Sequence, residues 1–412
     1  MCTSHCWKSL QNEETMKTNR ATFAIKPVCA CVALLSAGVS MQAAAQSSVT
    51  LYGVVDLAIA YSSNQSVNGQ GHSNTYMNSG ALAASKFGLA GTEDLGGGTQ
   101  ALFRLENGFA ANNGTQNGVA GSFFNRQAYV GLSNKDYGQI TMGRQYTPYF
   151  QYVAALGPTN VLTGAVGAHP GDIDAMDTTL RVPSSITYTS PVFGGFQAGA
   201  QYGLGGKAGG GSDGSSFSAG MRYDYQAFAW SAGYIRLKNV PTFKGNTGDF
   251  ANNAPINSGY ASADTAQIIG TAARYTFGKA MVGLNYSNVQ YKPGAASAFT
   301  QSATFNTVGA IATYDLTPAF RWAIGYSYTV EKARNGISSP AKYHQVTMEQ
   351  LYSLSKRTAF YAIEGYQRAR GQRLLANGTI GDAVASVGDS QNGTPSNGPS
   401  QFVGMVGIRH FF

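Results

Sequence analysis

Cysteine is nearly missing from this chain: its 412 residues hold four, Cys2, Cys6, Cys29 and Cys31. Everything after residue 31 therefore lacks a disulfide, a thiol nucleophile and a thiolate metal site. Charge is scarce as well. Charged residues make up 12% of the chain, against about 25% in an ordinary soluble domain. After residue 45 there is also no run of about 18 apolar residues, which argues against helical membrane spans. Soluble single domains rarely exceed about 300 residues, yet no break in composition divides this chain into two. Motifs of catalysis are lacking too: no H-E-x-x-H, no G-x-S-x-G and no phosphate-binding glycine loop. Gly206 and Lys207 lack the rest of that loop. His72, His169, His344 and His410 stand alone, without metal-ligand spacing. No cofactor and no catalytic residue is expected.

What the chain has in excess is small and aromatic: 52 Gly and 24 Tyr. Spread evenly, they suit an all-β protein with many turns. The first 45 residues read differently. Lys17, Arg20 and Lys26 precede an apolar stretch at 28–39, and Ala43, Ala44 and Ala45 offer a cleavage site before Gln46. That order is a secretory signal peptide, with Met16 as the expected start. Residues 1–45 are thus an extension plus leader, and 46–412 a single domain. Four basic and two acidic residues fall in the leader, so 24 basic and 18 acidic remain, a net +6. These charges are scattered, and nucleic-acid binding has little support.

Beyond residue 46 one theme repeats, an alternating segment of about ten residues followed by a turn. Membrane-crossing strands need about 9–11 residues, apolar on one face and polar or small on the other. In 320–331 Phe320, Trp322, Ile324, Tyr326, Tyr328 and Val330 share one face, opposite Arg321, Ala323, Gly325, Ser327, Thr329 and Glu331. Segments 281–287 and 358–366 repeat the pattern, and the first strand sets Val49, Leu51, Val55, Leu57 and Ile59 against Thr50, Tyr52 and Asp56. Short turns are expected near 94–99, 133–138, 190–195, 225–227, 277–279, 316–319 and 354–356. Long Gly/Asn/Ser-rich loops are expected near 62–84, 110–122, 147–181, 204–214, 238–262, 292–301, 332–341 and 370–399. Seven turns and eight loops join sixteen strands. The expected fold is a closed antiparallel transmembrane β-barrel, with short turns on the periplasmic side and long loops outside. Closure removes the sheet edges that would invite aggregation. The chain ends QFVGMVGIRHFF at 401–412, a final strand whose terminal Phe412 resembles the signal read by barrel-assembly machinery.

Several blocks carry a further resemblance: SSVTLYGVVDLAIAY (47–61), SKFGLAGTEDLGGGTQALFRLENGF (85–109), NRQAYVGLSNKDYGQITMGRQYTPY (125–149) and RVPSSITYTSPVFGGF (181–196). Together with the last strand they resemble the general porins of the β-proteobacterial branch, in order, over the mature chain. The resemblance implies a homotrimer of sixteen-stranded barrels in the outer membrane, among lipid and lipopolysaccharide, passing small hydrophilic solutes. It also implies that the third external loop, here 147–181, folds inward and narrows the pore.

In such a pore charged side chains set ion preference and the constriction sets the size limit. Porins of this kind place a basic wall cluster opposite acidic residues of the inward loop. Here the matching basic positions are Lys86, Arg126 and Arg144, with Arg104 and Glu106 on the presumed lumen face. By period Lys86 opposes Phe87 and Leu89, whereas Arg144 has the parity of Ile140 and Met142 and needs a bulge to turn inward. The acidic side would come from Asp172, Asp174 and Asp177. Arg274, Arg321, Arg368 and Arg409 also read as lumen-facing, so a mild anion preference is expected. Two other classes suit a barrel: an outer-membrane enzyme of lipase or protease type using loop residues, and an adhesive or structural barrel.

Overall fold

The computed structural model describes residues 47–117, 121–177, 180–243, 254–389 and 395–412. The expected leader, Met16 and all four cysteines lie outside the described residues. Strands follow one another with little else between them: β1 (Ser48–Val67), β2 (Gln70–Ser79), β3 (Lys86–Gly96), β4 (Thr99–Gly108), β5 (Gln127–Asn134), β6 (Gly138–Tyr146) and β7 (Arg181–Thr189). Then come β8 (Phe196–Gly203), β9 (Ser216–Tyr225), β10 (Phe228–Lys238), β11 (Thr265–Phe277), β12 (Ala280–Lys292) and β13 (Ala303–Asp315). The series ends with β14 (Phe320–Glu331), β15 (Lys342–Ser353), β16 (Thr358–Arg370), the short pair β17 (Gln372–Leu374) and β18 (Ile380–Asp382), and β19 (Ser400–Phe411).

Each strand pairs antiparallel with its neighbour, and β19 closes the ring on β1, from Val54 opposite Phe411 to Ser62 opposite Val403. β2 and β3 both pair with the same edge of β1. They form one interrupted stave, so the 17-stranded sheet is a sixteen-stave barrel. No helix among the described residues is long and apolar enough to cross a membrane; the crossing is made by strands.

The two faces of each strand meet different surroundings. On β14 Trp322, Ile324 and Tyr326 are about half exposed, while Ala323, Ser327, Thr329 and Glu331 on the other face are buried. An exposed apolar band of this kind is costly in water and is what a lipid-facing barrel wall requires. The terminal strand obeys the same rule, with Phe402, Val406 and Ile408 outward and Val403 and Met405 buried.

The seven short turns fall where the sequence places them. The first long loop does not. β1 runs on to Val67 and returns through Asn68 (φ 50°) and Gly69 (φ 77°), the Asn-Gly pair that a two-residue hairpin demands. The irregular part comes later, at 80–85, where six residues of the second stave face only Val55 and Asp56 of β1. The Asp56 carboxylate accepts the N–H groups of Leu82 (3.2 Å) and Ala83 (2.7 Å) and the Tyr361 hydroxyl. That fixes the bulge on the inner wall and satisfies backbone groups the ladder has dropped.

The main apolar core lies between loop residues and the buried face of the wall. Ile173, Met176 and Leu180 from the third long connection, Ile256 and Tyr260 from the fifth, and Leu374 from the eighth pack with Ile235, Ile268, Val289 and Phe305 of the strands. Residues of three long connections thus share one apolar cluster with the buried face of the strands.

Candidate pore-lining site

The third long connection begins with a short helix, α1 (Pro148–Tyr152), capped by the Thr147 hydroxyl on the Phe150 N–H. It lies against a floor of glycines on the inner wall. A Cβ at Gly233 would stand 3.0 Å from the Tyr149 ring, and one at Gly220 would stand 2.7 Å from the Pro148 carbonyl. Only glycine lets backbone and ring approach the wall this closely. Further along, Leu162 packs on Gly325 of β14 and Val166 on Gly365 of β16. The Gln345 amide of β15 donates to the carbonyls of Val166 (3.2 Å) and Ala168 (2.8 Å). Ala165 N–H reaches Ala81 in the bulge of the second stave (3.2 Å).

The loop carboxylates are spent on the same attachment. Asp174 is fully buried; one oxygen contacts His169 Nδ1 (2.6 Å) and accepts the Ser287 hydroxyl of β12 (2.6 Å). Burial works against its charge, but the His169 imidazole and the Ser287 hydroxyl together hold its carboxyl below the usual aspartate range. Asp172, also buried, accepts the Asp177 N–H (2.8 Å). Asp172 and Asp174 therefore do not stand as an acidic pole opposite a basic wall. They satisfy donors that a buried loop would otherwise strand. Asp177 is buried as well, close enough to Arg126 to favour its charge. Ser287, His169 and Asp174 meet, but the serine bonds the carboxylate and not the imidazole, so they do not follow the Ser–His–Asp order of a triad.

The basic wall is assembled from β3, β4, β7 and the approach to β5. Arg126 donates through Nε to Glu106 Oε1 (2.8 Å) and through Nη2 to the Tyr146 hydroxyl (2.7 Å). The second Glu106 oxygen takes the Tyr52 hydroxyl (2.9 Å). Arg104 stands over the Tyr52 ring at 5.6 Å and Arg181 over the Tyr146 ring at 5.1 Å. Lys86 feels the charges of Arg126, Glu106 and Arg181. Lys86, Arg104 and Glu106 line a cavity of about 460 Å³, shared with Tyr129, Tyr146 and Phe150. Lys86 and Arg104 thus share the cavity with one carboxylate, Glu106, and that carboxylate is already engaged by Arg126, which also feels Asp177. Glu106 belongs to the basic wall and not to an opposing acidic side.

Strand parity misleads at Arg126. Gln127 sits opposite Glu106 on the inner face, yet Arg126 also reaches inward, because it precedes the first residue of β5 and is free of its pleat. Arg144 differs from the basic cluster in the other direction. The bulge is there, between Gly143 and Gln145, but Arg144 pairs with Ala128 and sends Nε to the Asn125 carbonyl (2.8 Å). Gln145, in step with the buried Thr141 that it bonds, is the residue that faces inward there. Arg368 shares the outer face with Tyr366 and His344, so it is not a lumen cation. Arg181 was not singled out in the sequence, since it opens a strand and has no parity to follow. Among the described residues no cluster of His, Cys, Asp or Glu could hold a metal ion.

A closed sixteen-stave barrel with an apolar outer band, a polar inner wall and a charged internal cavity is the architecture of an outer-membrane diffusion channel. Comparison with known proteins gives the same class. A family profile described as Gram-negative porin matches residues 30–372. An outer membrane porin protein of Bordetella pertussis is 30% identical over 309 residues, spanning 73% of this chain and 68% of that one. Outer membrane porin protein 32 of Delftia acidovorans is 29% identical over 404 residues, spanning 94% and 99%. Among solved structures, an anion-selective porin from Comamonas acidovorans superposes with TM-score 0.69 at 26% identity, covering 89% of this chain and all of that one. The chain belongs to the Gram-negative porin family. It is a protein of the outer membrane, and it forms a channel there.

Proposed function

We propose that this porin is a passive, anion-preferring pore without turnover, and that 147–181 is its constriction loop. The observation that carries the preference is the imbalance at the 460 Å³ cavity. Lys86 and Arg104 line it with Glu106 as the one acidic side chain of the lining, and that carboxylate is already paired with Arg126, while Asp174 is turned into a buried contact on the far wall. At close quarters such a cluster attracts anions and repels cations. Contacts of the loop with Gly220, Gly325, Gln345 and Ala81 support its inward course. The likeness to an anion-selective porin points the same way, and a solved outer membrane protein of this fold in trimer form supports assembly in threes.

The test is reversal potential in a planar bilayer under a KCl gradient, with the Lys86→Gln/Arg104→Gln pair beside the native protein. Native channels are expected to open in steps of three and to favour chloride. The double variant should lower the chloride-to-potassium permeability ratio several-fold. A cation-selective native channel, or a ratio unmoved by the double variant, would remove the basic wall from the account of selectivity.

A further inference from the structure

The basic wall carries more than charge. Lys86 and Arg104 line the 460 Å³ cavity, and among the described residues neither makes a hydrogen bond or an ion pair with a protein group. Their donors are left for a solute. The same cavity is lined by aromatic rings, among them those of Tyr52, Tyr129, Tyr146 and Phe150. A bare inorganic anion gains from the cations alone, because the face of an aromatic ring is negative. A volume of 460 Å³ falls in the range of about 300–1,000 Å³ that holds a small organic molecule.

The rings are held in place by the protein itself. Tyr146 stacks on Phe150, with centroids 4.5 Å apart and planes 21° apart. Arg126 donates to the Tyr146 hydroxyl and Arg181 stands over the Tyr146 ring, so the stack is fixed at one end. Phe150 belongs to α1, whose backbone meets the wall at Gly220. Tyr52 is tied through its hydroxyl to Glu106 and carries Arg104 over its ring. Tyr129 lies directly opposite Arg104 on β5, and its hydroxyl has no hydrogen-bond partner among the described residues. Tyr146 is buried, whereas Tyr52, Tyr129 and Phe150 are each partly exposed.

We propose that this cavity is a transit site for small aromatic carboxylates, a solute class that rests on the anion-preferring reading of the pore. The carboxylate of such a solute pairs with Lys86 and Arg104 through charge-assisted hydrogen bonds. Its ring lies against the partly exposed rings of Phe150 and Tyr129, offset or edge to face. Glu106 does not compete for the two cations, since Arg126 and Tyr52 already hold its oxygens. Rings fixed in advance spare the solute the cost of ordering them. An aliphatic acid of the same size finds the cations but loses the ring pairing, and a neutral arene finds the rings but not the charge. Only a solute with both features uses the whole lining.

Single channels in a planar bilayer at fixed KCl would be exposed to benzoate or to cyclohexanecarboxylate, an acid of similar size and equal charge without a π face. Interruption of the chloride current reads the affinity for each. Benzoate is expected to bind the native protein about fivefold more tightly. The Tyr129→Leu/Phe150→Leu variant should bring the two acids to within about a factor of two of each other. The Lys86→Gln/Arg104→Gln variant should weaken both acids and leave their ratio. Circular dichroism checks the folding of each variant. If the leucine variant fails to fold, the two acids on native protein decide. Equal block by the two acids, no block by either, or a ratio unmoved in the folded leucine variant would overturn the aromatic site while the chloride preference stands. A native channel that prefers potassium would remove the anion reading and this site with it.

Discussion

Two arcs of the inner wall, built from the same alternating pattern, end in opposite states. From β3 to β7 the wall keeps large charged side chains and faces a cavity; Lys86, Arg104 and Glu106 remain on it. From β10 to β16 the wall mixes glycines with apolar residues such as Ile235, Ile268, Val289 and Phe305 and is covered by loops, with Tyr149, Leu162 and Val166 seated on Gly233, Gly325 and Gly365. The difference lies in polarity and in gaps. Glycines and apolar side chains let a loop dock and bury apolar surface, whereas charged side chains whose polar atoms need partners favour a cavity beside them.

The sharpest way to break the open arc is Arg126→Gln. Both partners of the Arg126–Glu106 pair have side chains less than a tenth exposed. Removing the cation takes the ion pair from a buried carboxylate, leaving the Tyr52 hydroxyl as its remaining hydrogen-bond donor and Lys86 as a nearby charge, a loss of up to about 3 kcal/mol, the low end for a broken buried pair. Urea unfolding followed by tryptophan fluorescence should show the drop. Adding Glu106→Gln should restore most of it, because the stranded charge is then gone. Equal instability in single and double variants would show that the guanidinium acts through packing on Tyr146 and not through charge.

The covered arc has its own weak point, and acid finds it. Asp174 ties the loop to β12 through Ser287, and its carboxyl is held below the usual aspartate value despite burial. A carboxyl depressed in the folded state contributes stability that is fully present above the unfolded value, about 3.9. That contribution is lost as pH falls through the lower folded value. Conductance should therefore be steady from neutral pH down to about 4 and grow noisy below it as the loop loosens. Asp174→Asn should show that noise at neutral pH, with little further change on acidification. A native channel equally quiet on both sides of pH 4 would mean that the glycine contacts alone hold the loop.

The staves were legible because each strand face meets a different medium, and a period of two records that directly; β14 and β19 show it residue by residue. The turns were legible from Gly, Asn and Asp. The docking of the loops was not, because its partners are remote in the chain: Gln345 holds carbonyls 177 and 179 positions away. Nothing near Asp174 announces Ser287, 113 residues on. Lys86 came from the resemblance and fitted the period, Arg104 and Glu106 came from parity, and the three do share the cavity. Arg126 came from the resemblance alone, because it precedes its strand, and Arg181 opens a strand where parity stops, so only the fold brings it in.

The smallest effect tests the one connection where a local signal was present but outweighed. Residues 62–84 are rich in Ser, Asn and Gly and read as loop, yet Asn68 and Gly69 turn a hairpin between β1 and β2. Both take positive φ, 50° and 77°, and a Cβ on Gly69 would meet nothing within 4 Å. Gly69→Ala therefore costs backbone strain alone, roughly 1 kcal/mol, with no clash to confuse it. Hydrogen exchange should show amides of 63–75 opening faster while those of β14 and β15 keep their protection. If protection in 63–75 is unchanged, the hairpin is held by its contacts with 395–400, where Ser66 N–H meets the Pro395 carbonyl, and the turn follows the strands instead of directing them.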